Sequence, residues 1–268
     1  MCRSQYYRWK QNPISKRSRQ DSDLTSYIKD FFFEGRATYG SRTIKQKLLQ
    51  KGIIVSRRRI SRLMKQADLH CKTKRKFKRT TDSNHSLYVA PDRLKRNFNP
   101  AKPNSVWAGD ITYIPTSEGF LYLATVMDLY SRRIVGWSMQ EHMKASLVND
   151  ALTMALFKRK PTKGLIWHTD RGSQYCSTSH RNILKDHGIM QSMSRKGNCW
   201  DNAPSESFFS ILKREIAPMK VNNRKQAAAQ IFEYIEVFYN RIRAHSTIGY
   251  LSPEQFENNL NTCKNIVC

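Results

Sequence analysis

Three acidic residues lie in sequence patterns whose predicted strands and helix could bring their side chains together. Asp170 follows the short apolar run at residues 165–167, a pattern typical of a buried strand that ends in a carboxylate. Glu206 follows Pro204, a residue favoured at helix starts, and opens a stretch in which apolar residues recur at helical spacing. Asp110 lies inside a further strand-like run. Carboxylate oxygens from a core strand and a nearby helix are ligands that suit Mg²⁺ or Mn²⁺.

Divalent ions held in this way point to chemistry at phosphate. Two of them stabilise both the attacking and the leaving oxygen of an in-line displacement at phosphorus. Glu206 and Lys213 are seven residues apart, so a helix directs both side chains the same way, about two turns from each other. Spacing alone leaves the site open, because most acidic side chains are solvated surface groups.

Other side chains of the same stretch are alternatives. Asp128 and Asp201 could each serve in the place assigned to Glu206. Asp128 fits better as a stabiliser of the turn at residues 130–132, and Asp201 as a residue that orders the loop before the Glu206 helix. His168 is either a proton carrier or a hydrogen-bonded histidine at the end of a strand.

The sequence around these residues resembles a known family. Two motifs are similar to the catalytic block of OrfB-type transposases of the IS-three insertion sequences. They are His-Thr-Asp-Arg-Gly-Ser-Gln-Tyr at 168–175 and Ser-Met-Ser-Arg-Lys-Gly-Asn-Cys-Trp-Asp-Asn-Ala at 192–203. That family belongs to the retroviral-integrase superfamily. Its signature has 35 residues between the second Asp and the Glu, and a Lys or Arg seven residues after the Glu. Asp170, Glu206 and Lys213 have these spacings.

The resemblance implies an activity and a set of roles. Asp110, Asp170 and Glu206 would be catalytic and would ligate two Mg²⁺ or Mn²⁺ ions, and Lys213 would contact DNA. The implied activity is that of a DDE transposase, in which water or a DNA 3′-hydroxyl attacks a phosphodiester. The implied substrates are double-stranded DNA, namely the ends of the insertion sequence and the target DNA. A homo-oligomer is expected by analogy, because two ends must be brought together. The family's first-reading-frame (OrfA-type) protein is a further expected partner.

The composition also favours a nucleic-acid partner. The formal net charge is +26, and residues 1–102 contain 27 Lys and Arg against 7 Asp and Glu. Such an excess calls for an anionic partner, and DNA fits better than a membrane because no long apolar segment is present.

Cysteine usage and the amino terminus indicate an intracellular protein. The six cysteines are dispersed and form no C-x-x-C pair, so they predict neither a zinc site nor a disulfide framework. The amino terminus has no apolar core of signal-peptide length. Together with the resemblance, this predicts a cytoplasmic bacterial protein associated with the nucleoid.

The predicted fold is α/β, with an RNase H-like catalytic core. The core's β-β-β-α-β-α-β-α order implies a mixed five-stranded sheet with Asp110 and Asp170 on adjacent central strands. A small all-α, helix-turn-helix-like domain precedes it, and a helical region follows. The predicted parts are a basic connecting segment at 1–20, the DNA-binding domain at 21–70, a basic linker at 71–100, the integrase core at 101–217 and the C-terminal region at 218–268.

The DNA-binding domain is predicted to contain three short helices. Ser41 and Ser56 are the predicted caps of the second and third helices, and Leu49 is expected on the buried face of the second. Basic side chains outside the bundle and in the linker are expected to contact DNA phosphates. These are Arg57, Arg58, Arg59 and Arg62 of the third helix, and Lys74, Arg75 and Lys76 of the linker.

Two rival functions remain at this point. A non-catalytic DNA-binding regulator, or an inactive transposase fragment, is favoured by the lack of the first-frame recognition modules and disfavoured by the intact acids. A free RNase H-type nuclease is disfavoured by the large basic N-terminal extension. Metal-dependent nicking of DNA separates the first rival from a transposase, and a preference for RNA–DNA hybrids would identify the second.

Overall fold

The computed structural model describes residues 2–11, 14–72, 88–195, 199–216 and 223–265. The chain divides into two compact units, Met1–Thr73 and Lys74–Cys268. Among the described residues, no helix combines the length and the apolar character needed to cross a membrane.

The first unit is entirely helical. Its helices are α1 (Arg3–Gln11), α2 (Lys16–Glu34), α3 (Ser41–Gln50) and α4 (Arg57–Gln66). The last three pack around side chains that recur at helical spacing, including Ile28, Ile44, Leu48 and Ile60, none of which is exposed to solvent. The predicted helical domain at the amino terminus is therefore confirmed.

Helix ends in this unit agree only partly with the sequence predictions. Ser56 caps α4 as predicted, and its Oγ accepts a hydrogen bond from the Arg59 amide at 3.3 Å. Ser41, predicted as a cap, is instead the first residue of α3, and Gly40 occupies the cap position. Leu49 is half exposed, because it follows the buried Leu48 by about 100° around the helix.

The range predicted as a connecting segment contains helix. The first helix, α1, covers Arg3–Gln11, and α2 begins at Lys16, earlier than the apolar pattern indicated. The reason for the early start is a cap, since Ser15 Oγ accepts a hydrogen bond from the Ser18 amide at 3.1 Å. A polar first turn carries no apolar periodicity, so the pattern could not reveal it.

The second unit is built on one mixed sheet of five strands. The strands are β1 (Val106–Thr116), β2 (Gly119–Asp128), β3 (Ile134–Gln140), β4 (Ile166–Thr169) and β5 (Met190–Met193). Their order in the sheet is β3-β2-β1-β4-β5. The first three strands form an antiparallel meander, whereas β4 and β5 run parallel to β1. This is the predicted topology, and it makes β1 and β4 neighbours at the centre of the sheet.

Helices cover both faces of this sheet. They are α5 (Ala145–Arg159), α6 (Ser173–Cys176), α7 (Thr178–Asp186), α8 (Ala203–Ile216), α9 (Arg224–Glu233) and α10 (Pro253–Asn265), with 3₁₀ turns at Cys199–Asn202 and Ser246–Ile248 and a π-helical segment at Tyr234–Tyr239. One apolar cluster joins the sheet to α8, α9 and the π-helical segment. The other joins it to α5, α6 and α7. The sequence pattern had not predicted α6.

The approach of α5 to the sheet depends on a glycine. A β-carbon added at Gly136 of β3 would lie 2.2 Å from the carbonyl oxygen of Ala151. The backbones of β3 and α5 therefore meet at a distance that no other residue allows at this position.

A buried polar cluster ties the end of α8 to the C-terminal region. Glu215 is fully buried, and Arg243 Nη2 donates to its Oε1 at 3.0 Å. The hydroxyl of Tyr234 donates to the other carboxylate oxygen at 2.8 Å. The helix that carries Glu206 is thus fixed by residues that follow it in the chain.

Candidate active site

The first feature of the site is the position of two carboxylates on neighbouring parallel strands. Strands β1 and β4 pair in register from Val106 opposite Ile166 to Ala108 opposite His168. Asp110 lies on β1 and Asp170 directly follows β4, each two residues beyond the last of these pairs, so the same register brings them opposite each other where neighbouring strands run about 4.8 Å apart. Because side chains alternate between the faces of a strand, both have the parity of the residues that face α8.

The two carboxylates are near enough for each charge to act on the other. Burial raises the pKa of Asp110 well above its ordinary value, and the negative charge of Asp170 raises it further. Glu206 adds a smaller repulsion, whereas Lys213 and a hydrogen bond from the Ile111 amide act in the opposite direction. Lys213 and the Ile111 amide offset this only in part, and a divalent cation would further stabilise the ionised carboxylate.

Helix α8 brings Glu206 and Lys213 toward the strands. Glu206 lies exposed in the first turn of α8, and Lys213 is two turns later and partly buried. The Lys213 ammonium lies over the ring of Tyr113 on β1, with Nζ 4.7 Å from the centroid. Burial lowers the pKa of Lys213, and the Asp110 carboxylate opposes that shift. Lys213 therefore lies beside the carboxylates.

The three acids do not form a closed metal cage in this structure. In the parts of the chain that the structure describes, no three His, Cys, Asp or Glu side chains are grouped so as to hold one ion. Asp170 Oδ1 accepts a hydrogen bond from the Gly172 amide at 2.9 Å, which fixes one carboxylate oxygen. The arrangement is a pair of carboxylates on the sheet, with the third acid approaching from a helix.

His168 is a structural hydrogen-bonding residue. Its ring is buried beneath the site, with Nδ1 2.9 Å from Ser192 Oγ and Nε2 3.0 Å from the carbonyl oxygen of Asp201. Burial lowers its pKa, which keeps the ring neutral. Of the two interpretations of His168, the hydrogen-bonded histidine is the one that the structure supports.

The two alternative carboxylates are both engaged by their own chain. Asp128 accepts hydrogen bonds from the amides of Asn104 at 2.9 Å and Tyr130 at 3.1 Å, and pairs with Arg159 at 3.2 Å. It therefore stabilises the turn after β2, as the sequence favoured.

Asp201 is held more tightly still. Its carboxylate accepts hydrogen bonds from the Arg195 side chain and amide at 3.0 Å and from Arg96 Nε at 2.7 Å. These bonds, with that from the Arg195 side chain first, hold its pKa far below the usual range. It orders the loop before α8.

Sequence reasoning missed an aromatic cluster under the carboxylates. Trp167 Nε1 donates to His180 Nε2 at 2.9 Å, which leaves His180 Nδ1 to donate to Asn149 Oδ1 at 2.8 Å. Tyr175 packs against both rings, and burial and then the charges of Asp110 and Asp170 raise its pKa well above normal. The partners come from β4, α5, α6 and α7, so no local pattern in the sequence could reveal them.

A glycine lets this cluster lie directly beside Asp110. A β-carbon added at Gly109 would come within 2.2 Å of the Trp167 ring. The indole therefore covers the bare backbone of β1 at the residue before the carboxylate. Any larger residue at Gly109 must displace Trp167 and with it the end of β4.

The predicted DNA-contacting arginines of α4 fall into two groups. Arg59 and Arg62 both pair with Asp21 of α2, at 2.7 Å and 2.6 Å. Arg57 and Arg58 are exposed to solvent. The paired arginines join α4 to α2, so the exposed ones are better placed to reach phosphates. Lys74, Arg75 and Lys76 lie outside the described residues.

We expect replacement of Arg58 by alanine to weaken DNA binding without unfolding the first unit. Loss of one phosphate contact lowers the slope of log affinity against log salt by about 0.9. Arg59→Ala is the matched variant, and it should instead lower the melting temperature because it breaks the pair with Asp21. Fluorescence anisotropy over a salt series, with a thermal melt of each variant, measures both effects. A salt slope that falls for Arg59→Ala and not for Arg58→Ala would reverse the assignment.

Comparison with known proteins gives consistent matches over both units. Residues 100–199 and 206–260 each match the family described as "Integrase core domain", and residues 19–77 match "HTH-like domain". The chain is 49% identical over 257 residues to the Shigella sonnei "Insertion element IS600 uncharacterized 31 kDa protein", covering 96% of this chain and 94% of that protein. It is 42% identical over 261 residues to "Transposase InsF for insertion sequence IS3A" of Escherichia coli K12, covering 96% and 91%.

One solved structure with a similar fold is a viral integrase assembly. The simian T-cell lymphotropic virus intasome, in complex with the PP2A regulatory subunit B56 gamma, contains a chain that superposes with a TM-score of 0.50. The match has 15% sequence identity and covers 79% of this chain and 69% of that one. At this identity the likeness supports the fold alone.

Proposed function

Because this chain belongs to the IS3 family of insertion-sequence transposases, we propose that it catalyses metal-dependent cleavage and strand transfer of insertion-sequence DNA. The observation that carries the proposal is the pair Asp110, on β1, and Asp170, at the end of the neighbouring parallel strand β4. Each charge there is unfavourable for the other, and burial raises the pKa of Asp110. Carboxylates kept in mutual repulsion fit a cation-binding role better than a structural one.

The residues of the site have distinct roles in this proposal. Asp110, Asp170 and Glu206 would hold two divalent cations, Mg²⁺ or Mn²⁺, and their oxygen donors are of the kind that these ions prefer. Such ions stabilise the attacking and leaving oxygens of an in-line displacement at a phosphodiester. Lys213 directs its positive charge toward a DNA phosphate beside Asp110. Asp201, Arg195 and Arg96 hold the loop from which α8 starts.

The proposal also covers the DNA substrates, the protein partners and the domain boundaries. Integrase-core and HTH-like domains imply DNA binding, and we propose insertion-sequence ends and target DNA in the nucleoid as the substrates. Two copies or more would act together, in association with the first-reading-frame protein of the element. The predicted DNA-binding domain at 21–70 is extended back to Lys16, where α2 begins, and the catalytic core at 101–217 takes in the end of the predicted linker at 71–100, where Ala90 and Leu94 are buried and Arg96 holds Asp201.

We expect Asp110→Asn to stabilise the metal-free protein at alkaline pH. The folded-state pKa of Asp110 lies above its unfolded value, so the folded state binds more protons than the unfolded state between those values. The free energy of unfolding therefore falls as pH rises through that window, and an uncharged side chain removes the loss. Thermal melts at pH 5 and pH 8 measure the difference.

The same variant should lose the stabilisation that Mn²⁺ gives. A ligand that binds only the folded state raises the melting temperature, and at a site of carboxylates the increase is larger at pH 8 than at pH 5. Asp186→Asn, at an exposed carboxylate at the end of α7, serves as the control and should keep the full increase. An equal Mn²⁺ response in wild type and Asp110→Asn would count against metal binding at Asp110.

The activity itself is tested with labelled duplex DNA that carries the ends of the element. The full chain is incubated in Mg²⁺ or Mn²⁺, with and without the first-reading-frame protein, and the products are resolved on denaturing gels. We expect nicked and strand-transferred products that require the divalent ion. DNA binding without any product under both conditions would favour the non-catalytic regulator.

A further inference from the structure

An exposed tryptophan lies next to the carboxylate site. Trp200 is 70% exposed, although large aromatic side chains are normally covered. It belongs to the 3₁₀ turn Cys199–Asn202, which leads directly into α8 and Glu206. Exposure alone does not set Trp200 apart, since Phe157 of α5 is 80% exposed; the position of its turn beside the carboxylates does.

The turn that holds Trp200 is anchored on several sides. The next residue, Asp201, accepts hydrogen bonds from Arg195 and Arg96, and its carbonyl oxygen lies 3.0 Å from His168 Nε2. Asn202 Nδ2 reaches the carbonyl oxygen of Gly109 at 3.5 Å. The two residues that directly follow Trp200 are therefore held in place by hydrogen bonds.

These anchors also locate the turn relative to the carboxylates. Gly109 directly precedes Asp110, and His168 lies two residues before Asp170. The turn thus contacts the backbone of β1 and the side chain of β4 close to the two carboxylates, and α8 continues from it to Glu206. Any phosphodiester that reaches the carboxylates brings its flanking nucleotides within reach of this turn.

We propose that Trp200 stacks on a DNA base that is unpaired beside the phosphodiester in the site. This inference rests on the proposed function and deepens it by assigning a residue that positions the substrate. A flat aromatic face accepts any base, because every base presents a π surface. The face of a base becomes available only when it leaves the helical stack, and an indole in that place offsets the loss of stacking. Trp200 therefore favours a distorted DNA end over an intact duplex.

Photo-crosslinking tests the contact without relying on catalysis. Single 5-iodouracil substitutions are placed at successive positions around the cleavage point of an element-end duplex. The full chain is irradiated with each DNA in the absence of divalent ions, and the crosslinked peptide is identified by mass spectrometry. We expect Trp200 to crosslink at one position next to the scissile phosphodiester. Crosslinks spread evenly over all positions, or none at Trp200, would overturn the inference.

Product formation supplies the second test. Trp200→Ala should reduce product from a fully paired end by about tenfold, whereas Trp200→Phe should keep most of it because it retains a stacking face. A mismatch at the crosslinked position should restore Trp200→Ala, since the base is then already unpaired. Phe157→Ala, at an 80% exposed side chain of α5, is the control and should have no effect. Equal losses on paired and mismatched ends would contradict the stacking role.

The two tests separate this inference from the proposed function. A specific Trp200 crosslink with no product from wild type would leave the stacking contact standing and contradict the catalytic proposal. Normal products from Trp200→Ala on paired ends would leave the catalytic proposal standing and contradict the stacking role.

Discussion

Asp170→Asn is expected to abolish strand transfer while leaving DNA binding intact. The substitution keeps the size of the side chain and an oxygen that can accept from the Gly172 amide, but it removes the charge that repels Asp110. We expect product to fall by about a hundredfold to a thousandfold, the scale of the loss when one electrostatic group is removed from a reacting centre. Gel-resolved product yield in Mg²⁺, with anisotropy for DNA affinity, measures both quantities.

Asp186→Asn is the matched control for this experiment. It makes the same chemical change at an exposed carboxylate of the same unit, near the end of β4 opposite to Asp170, and should leave the yield unchanged. If Asp170→Asn retained even a tenth of the wild-type product, the proposed role of Asp170 would have to be abandoned. A parallel loss of DNA affinity would instead indicate a binding role.

Glu215→Ala is expected to destabilise the second unit by about 3–5 kcal/mol, because it leaves the buried Arg243 guanidinium without its carboxylate. Tyr234 loses its hydrogen-bond acceptor in the same step. Four of the five tryptophans lie in the second unit, so urea unfolding followed by tryptophan fluorescence reports mainly on this unit. The midpoint should shift to lower urea.

Two further variants check the cause of that loss. Glu254→Ala removes a partly exposed pair with Arg133, whose atoms lie 3.5 Å apart, and should cost no more than about 1 kcal/mol. The double variant Glu215→Leu, Arg243→Met removes both buried charges and should recover much of the stability. A double variant as unstable as Glu215→Ala would show that the buried charge is not the cause.

The central sheet could be predicted because its signals are local. Alternating apolar residues with turns at 117–119 and 128–132 locate β1, β2 and β3, and the apolar run before Asp170 locates β4. The spacing shared with a known family pointed to the three acids. Their arrangement on β1, β4 and α8 follows once the strand order is known.

What the sequence could not reveal depends on contacts between distant residues. Asp21 pairs with Arg59 and Arg62, which come about forty residues later, and this removes two of the four arginines expected to face DNA. Nothing in the local pattern of α4 distinguishes these two from their neighbours. The local pattern also could not show that Trp200 is exposed, because its exposure depends on how distant residues anchor the surrounding turn.

The C-terminal region differed from its prediction in a physically informative way. The predicted helical region begins with α9, which Asn223 caps by accepting a hydrogen bond from the Gln226 amide at 2.8 Å. The helix changes to π-helical turns over Tyr234–Tyr239, and these wider turns face four apolar or aromatic side chains toward the sheet. The helical period of the apolar residues could not reveal the π-helical turns, because these turns depend on packing against the sheet.

The core shared between the sheet and residues 223–240 has a consequence for the gene. Every proposed catalytic residue is encoded before codon 217, so a stop codon just after it appears harmless when only the active-site motif is inspected. Such a stop removes Ile231, Tyr234, Ile235, Phe238 and Tyr239, which are buried against the sheet and α8. Copies truncated between codons 217 and 231 should therefore yield chains whose second unit does not fold, and an intact motif does not show whether such an element can still transpose.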